Sequence, residues 1–68
     1  MHIAILTCQG FNELDSFSAL GVLNRIKKPG WRVTICCPEP TVTSMNGVTV
    51  HAQSTLAEAR SADAVIVA

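Results

Sequence analysis

No apolar run in these 68 residues approaches the ~20 needed to span a bilayer. No Lys or Arg precedes the first apolar stretch, Ile3-Ala4-Ile5-Leu6, so the basic head of a signal peptide is missing and a cytoplasmic protein is expected. Neither sign of charge is in excess. Five basic and five acidic residues cancel, which removes the electrostatic reason to expect nucleic acid or an anionic membrane as partner. Cysteine is scarce and wrongly spaced for zinc or thioredoxin-like chemistry: Cys36 and Cys37 are adjacent, Cys8 stands alone, and no C-x-x-C occurs. Neither G-x-G-x-x-G nor G-x-x-x-x-G-K-[ST] can be read, so nucleotide binding is disfavoured and no cofactor or metal is implied.

What is present is globular in composition, 49% hydrophobic and 15% charged, without a low-complexity tract. Sixty-eight residues fall below the usual domain size of ~100–150 and near the limit at which one core stabilises itself. The stretch Gly10-Phe11-Asn12-Glu13-Leu14-Asp15-Ser16 organises the rest. It follows the apolar run 2–6, which reads as a strand covered on both faces. It opens a helix expected from Glu13 to Lys28, stopped by Pro29-Gly30. A helix that begins there sits at the strand's carboxyl edge, where ligands collect in open α/β sheets.

At ~100° per residue the apolar stripe of that helix takes in Ala19, Val22, Leu23 and Ile26, and Asp15 falls on the same line. Two readings of Asp15 stand side by side. In one, Asn12 is the N-cap and Asp15 the N3 residue of a capping-box variant, bonded back to the Asn12 amide. In the other, Asp15 is a partly desolvated carboxylate aimed at the crevice, able to share a proton with a nucleophile.

Further along, Trp31 to Cys37 reads as a second strand with Trp31 as packing anchor and the cysteine pair as buried or semi-buried thiols. Cys8 lies in the loop before Asp15, a small residue open to reaction. Pro38-Glu39-Pro40 makes an extended loop, and Val42 to Val50 a hairpin turning at Met45-Asn46-Gly47. His51 has no nucleophile to serve and is expected to be solvent-exposed or capping. Ser54 or Thr55 caps a short helix through Arg60, with Glu58 at N3 if Thr55 is the cap, and Ala64 to Ala68 is the last strand.

The order and spacing of these motifs resemble the ThiJ/PfpI family of the class I glutamine-amidotransferase-like superfamily, which includes deglycases, PfpI-type proteases and isocyanide hydratases. Gly10-Phe11-x-Glu13-Leu14-Asp15 looks like its first βα turn, Trp31–Ile35 its second strand, Val42–Val50 its small β excursion, Ser54-Thr55-Leu56 its short helix and Ala62–Val67 its third main strand. The resemblance spans all 68 residues through short motifs, with departures: many relatives carry proline where Ala19 stands, and proline or an acidic residue near Ala52-Gln53.

The resemblance implies the N-terminal part of one α/β domain. That domain would be a flavodoxin-like, three-layer parallel sheet with strand order 2-1-3 and a hairpin excursion. It further implies a cysteine-dependent hydratase or hydrolase, with the isocyanide hydratase type slightly favoured over an amidase or deglycase. Asp15 would be the supporting carboxylate, the substrate a small electrophile (isocyanide, amide or glycated adduct), and the intact protein a homodimer. The family's oxyanion-hole glycine pair and nucleophilic cysteine come after the third strand, so residues 1–68 alone are expected to be inactive and one apolar sheet face to lack cover. A ligand-sensing half of a transcription regulator and a non-catalytic subunit-contact remnant are the other functions compatible with this pattern.

Overall fold

The computed structural model describes residues 1–67. Its elements are β1 (His2–Leu6), α1 (Glu13–Leu23), β2 (Arg32–Cys37), β3 (Thr41–Thr43), β4 (Thr49–His51), β5 (Ser54–Thr55), α2 (Leu56–Arg60) and β6 (Ala64–Val67). The expected Ala68 end of the last strand lies outside the described residues. β5, β2, β1 and β6 form a parallel four-stranded sheet in that order, and β3 and β4 an antiparallel pair. The three main strands therefore run in the order 2-1-3. The two-residue β5, expected as part of a helix cap, adds a fourth at the outer edge of β2.

Parallel pairing places residues in register on one face of the sheet. Ile3 and Ile5 of β1 sit beside Val33 and Ile35 of β2, and with Cys37, Phe11 and Val42 they make the buried core. Ala19, Leu20 and Leu23 of α1 pack on it. The opposite face is apolar and exposed on its β6 side, as expected, where Val65 and Val67 stand in register with Ala4 and Leu6, but its β2–β5 side is polar. The His2 Nε2 lies 2.8 Å from the Thr34 hydroxyl, which lies 2.8 Å from that of Ser54, while Arg32 Nη2 approaches His2 Nδ1 at 3.1 Å. Polar side chains that satisfy one another reduce the cost of leaving this face thinly covered. The apolar exposure of this face is concentrated on β6, where Val67 is 77% exposed, and further apolar groups lie exposed on the outer side of α1.

The rotation of α1 differs from the expected one by about one residue. The inward side chains are Ser16, Ala19, Leu20 and Leu23, whereas Val22 is 63% exposed and Asp15 is exposed. Leu14, Phe17, Val22 and Ile26 spread apolar groups round the helix, so periodicity alone fixes no phase. Tertiary contact decides it: the buried Ser16 hydroxyl meets that of Thr7 at 3.2 Å, and Leu20 and Leu23 reach the sheet. The helix also stops at Leu23 rather than Lys28. The Arg25 and Ile26 amides bond three residues back, to Val22 and Leu23, and the Trp31 indole N–H donates to the Leu23 carbonyl at 3.0 Å. A turn at Lys28–Trp31, closed by the Trp31 amide on the Lys28 carbonyl, then needs the positive φ (77°) that Gly30 supplies.

β6 is held where it begins. The His2 amide donates to Asp63 Oδ2 at 2.7 Å, and the Asp63 amide to the His2 carbonyl at 2.8 Å. α2 has the full capping box expected for Thr55: its hydroxyl accepts the Glu58 amide and Glu58 Oε1 accepts the Thr55 amide.

Candidate functional site

The loop from β1 to α1 begins as a turn in which the Phe11 amide donates to the Cys8 carbonyl at 3.0 Å. Gly10 takes the left-handed conformation, with φ of 82°, at the third position of that turn. Phe11 then plunges into the core and anchors the loop. Asn12 is the N-cap, its side-chain oxygen accepting the Leu14 amide at 3.0 Å. The reciprocal half of the box is not made: the Asp15 carboxylate has no hydrogen-bond partner among the described residues, while the Asp15 amide donates to the Asn12 carbonyl. Asp15 therefore stands in the first turn of α1, above the carboxyl edge of the sheet, exposed and unengaged. The desolvated setting expected for it is absent because α1 turns Ser16, not residue 15, toward the sheet.

The hairpin is the neighbour of this loop. The Gly10 amide donates to the Thr43 carbonyl, the Met45 amide to the Phe11 carbonyl, and the Thr43 amide to Gln9 Oε1 at 3.1 Å. Glu13, on a different side of the helix from Asp15, is the carboxylate that this packing uses. Its Oε2 accepts from Asn46 Nδ2 at 3.1 Å. A backbone hydrogen bond at Glu13 itself, then the Asn46 amide and more weakly the Ser44 hydroxyl, hold its carboxyl below the usual glutamate range against a small opposing effect of burial.

The three cysteines have free thiols. Cys8 is exposed in the loop, and Cys36 and Cys37 are buried, as expected of the pair. Cys36 and Cys37 point to opposite faces because strand residues alternate. Cys36 Sγ donates to the Thr55 carbonyl at 3.2 Å, while Cys37 belongs to the core. Burial pushes the Cys37 thiol up, and the neighbouring thiols of Cys36 and Cys8 push it the same way. A raised thiol in the core is a poor nucleophile. Among the described residues no three His, Cys, Asp or Glu side chains gather to hold a metal ion, and no helix is long and apolar enough to cross a membrane.

An open cavity of about 410 Å³ lies past the end of β2, lined by Cys37, Glu39, His51, Ser54, Thr55 and Glu58 among others. It includes neither Asp15 nor Cys8. His51 is exposed at its wall, in β4, in keeping with the expectation of a solvent-exposed histidine. The Pro38–Pro40 loop and the Thr55 capping box were each legible along the chain. That they face one another across a hollow depends on β5 joining the sheet, for which a two-residue strand leaves no pattern. Neither a protein-family model nor a curated protein matches the chain.

Proposed function

We propose that residues 1–68 form the first part of a flavodoxin-like ThiJ/PfpI-type domain acting as a cysteine-dependent hydratase or hydrolase on a small electrophile. An isocyanide is favoured over an amide or a glycated amine. The observation that carries the reading is the free carboxylate of Asp15 in the first helical turn after β1, at the edge of a parallel sheet of order 2-1-3. Because no capping box consumes it, that carboxylate is available to orient a substrate or exchange a proton with a thiol brought by residues outside the chain. The resemblance extends to a homodimer, without nucleic acid or membrane as partner.

A second reading is a non-catalytic subunit-contact segment. Leu14, Phe17 and Val22 on the outer side of α1 and Val65 and Val67 on β6 favour it, since such exposed apolar groups are normally covered. The coding sequence around these codons separates the readings. A glycine pair followed by a cysteine on a strand-to-helix elbow supports the enzyme, a helix-turn-helix supports a regulator's sensing domain, and neither supports the contact segment. Catalysis is tested with an aryl isocyanide, which takes up one water to give the formamide. The complete protein should form it, Asp15→Asn should lower the rate at least tenfold, roughly the smaller part of a general acid–base contribution, and residues 1–68 alone should form none. Turnover unaffected by Asp15→Asn would remove the role assigned to this side chain.

A further inference from the structure

The hairpin turn between β3 and β4 places an asparagine directly before a glycine, and both Asn46 and Gly47 are exposed. Asparagine is thermolabile because the next backbone nitrogen can attack its side-chain amide, and glycine, having no Cβ, hinders that attack least. A Cβ at residue 47 would meet nothing within 4 Å, so no neighbouring group crowds the approach either. Two hydrogen bonds restrain the reactants. The Gly47 amide donates to the Ser44 carbonyl at 3.1 Å, and Asn46 Nδ2 donates to Glu13 Oε2 at 3.1 Å. Both lie at the surface, where water replaces a partner that lets go, so each opens at small cost.

The second of these bonds gives the reaction a structural consequence. A carboxylate only accepts, so the Asn46–Glu13 contact needs the N–H of an amide. Beside it the Met45 amide donates to the Phe11 carbonyl at 2.8 Å, and together the two bonds hold the turn against the start of α1 and the loop before it. We propose that Asn46-Gly47 is a self-modification site whose deamidation releases the hairpin turn from α1. The Gly47 nitrogen gives its proton to solvent base and bonds to the Asn46 side-chain carbon. The bond from that carbon to Nδ2 breaks, and the nitrogen leaves as ammonia with a proton taken from solvent. Water then opens the cyclic imide at either carbonyl, giving an aspartyl or an isoaspartyl residue with no change of oxidation state. The product has no N–H to offer and sets a second carboxylate against Glu13, and like charges that close repel. Glu13 is a positioning residue here: it holds the amide away from Gly47 before the reaction and rejects the product after it. The site is independent of any role of Asp15 and stands whether or not the chain belongs to an enzyme.

The test keeps the full 68-residue chain in mildly alkaline buffer made with ¹⁸O-labelled water, then digests it in ordinary water with trypsin. Asn46 is the sole asparagine of the tryptic peptide 33–60. That peptide is expected to take up the heavy oxygen and to split into aspartyl and isoaspartyl forms. Asn12 and Asn24, which precede Glu13 and Arg25, should stay intact over the same time. Glu13→Ala should speed the change roughly fivefold, the worth of one hydrogen bond. Hydrogen exchange reads the release: Asn46→Asp should exchange the Met45 amide faster than the unsubstituted chain. Adding Glu13→Gln returns a donor to the pair and should restore slow exchange. An unmodified peptide 33–60, an aspartyl product alone, or Met45 exchange that is unchanged in Asn46→Asp or not rescued by Glu13→Gln would overturn the proposal.

Discussion

The hydroxyls of Thr7 and Ser16 meet at 3.2 Å in a wholly buried contact between the end of β1 and the second turn of α1. Thr7 also donates to the Ile5 carbonyl at 3.1 Å, so Ser16 supplies the proton to Thr7. This pair fixes which side of the helix faces the sheet. Ser16→Ala is expected to cost about 1 kcal/mol, the net worth of a hydrogen bond. Ser16→Leu should cost about 1–3 kcal/mol or more by overpacking the same spot. Urea unfolding followed by Trp31 fluorescence measures both, and a neutral Ser16→Leu would mean that α1 is free to rotate.

Asp15 should behave in the opposite way. Exposed and without a side-chain partner, it contributes to folding only through the helix dipole, so Asp15→Asn is expected to change stability by no more than about 0.3–1 kcal/mol. A circular-dichroism melt that drops as far as for a lost capping box would restore the structural role that the geometry denies it.

Glu13 makes stability depend on pH. Its folded-state pKa lies below its unfolded one, so the contribution is fully present above the unfolded value and is lost as pH falls through the folded value. The Asn46–Glu13 contact is the part of this that links the hairpin turn to α1. Replacing Glu13 with Gln should flatten the acid limb of a plot of unfolding midpoint against pH, and Asn46→Ala should flatten it in part. Parallel acid limbs in all three proteins would assign the loss to other carboxylates.

Thiol labelling separates the cysteines. Cys8 should react with iodoacetamide in the native protein, whereas Cys36 and Cys37 should label roughly tenfold or more slowly until denaturant is added, because burial hides both and, at Cys37, also opposes the thiolate. Peptide mass mapping after a timed quench reads the three sites separately. Prompt native labelling of Cys37 would show that the core around it opens.

The main strands, their 2-1-3 order and the turns were legible because each has a local cause, whereas β5 was not. Ile3–Leu6 and Val33–Cys37 are apolar enough for a covered parallel pair, Gly10 and Gly30 sit where positive φ is needed, and Thr55 with Glu58 spells a capping box. The phase of α1 was not legible, since Leu14, Phe17 and Val22 compete with Leu20 and Leu23 for the inward face and only the sheet arbitrates. The carboxylate pair was likewise separable by spacing but not by role. Which of Glu13 and Asp15 is engaged depends on the hairpin folding back to bring Asn46 alongside. The hydroxyl chain from His2 to Ser54 joins residues 52 positions apart and has no signature along the chain.

The double tie between His2 and Asp63 bears on how the sheet avoids misassembly. Ala64 to Val67 carry no charge and differ little from one another, so nothing in their side chains opposes a slip of one position, which would trade Ala64 and Ile66 for Val65 and Val67 across the sheet. One aspartate, placed just ahead of the uniform segment, acts as its index mark. Alignment of β6 is thereby set by the residue ahead of it rather than by its own side chains.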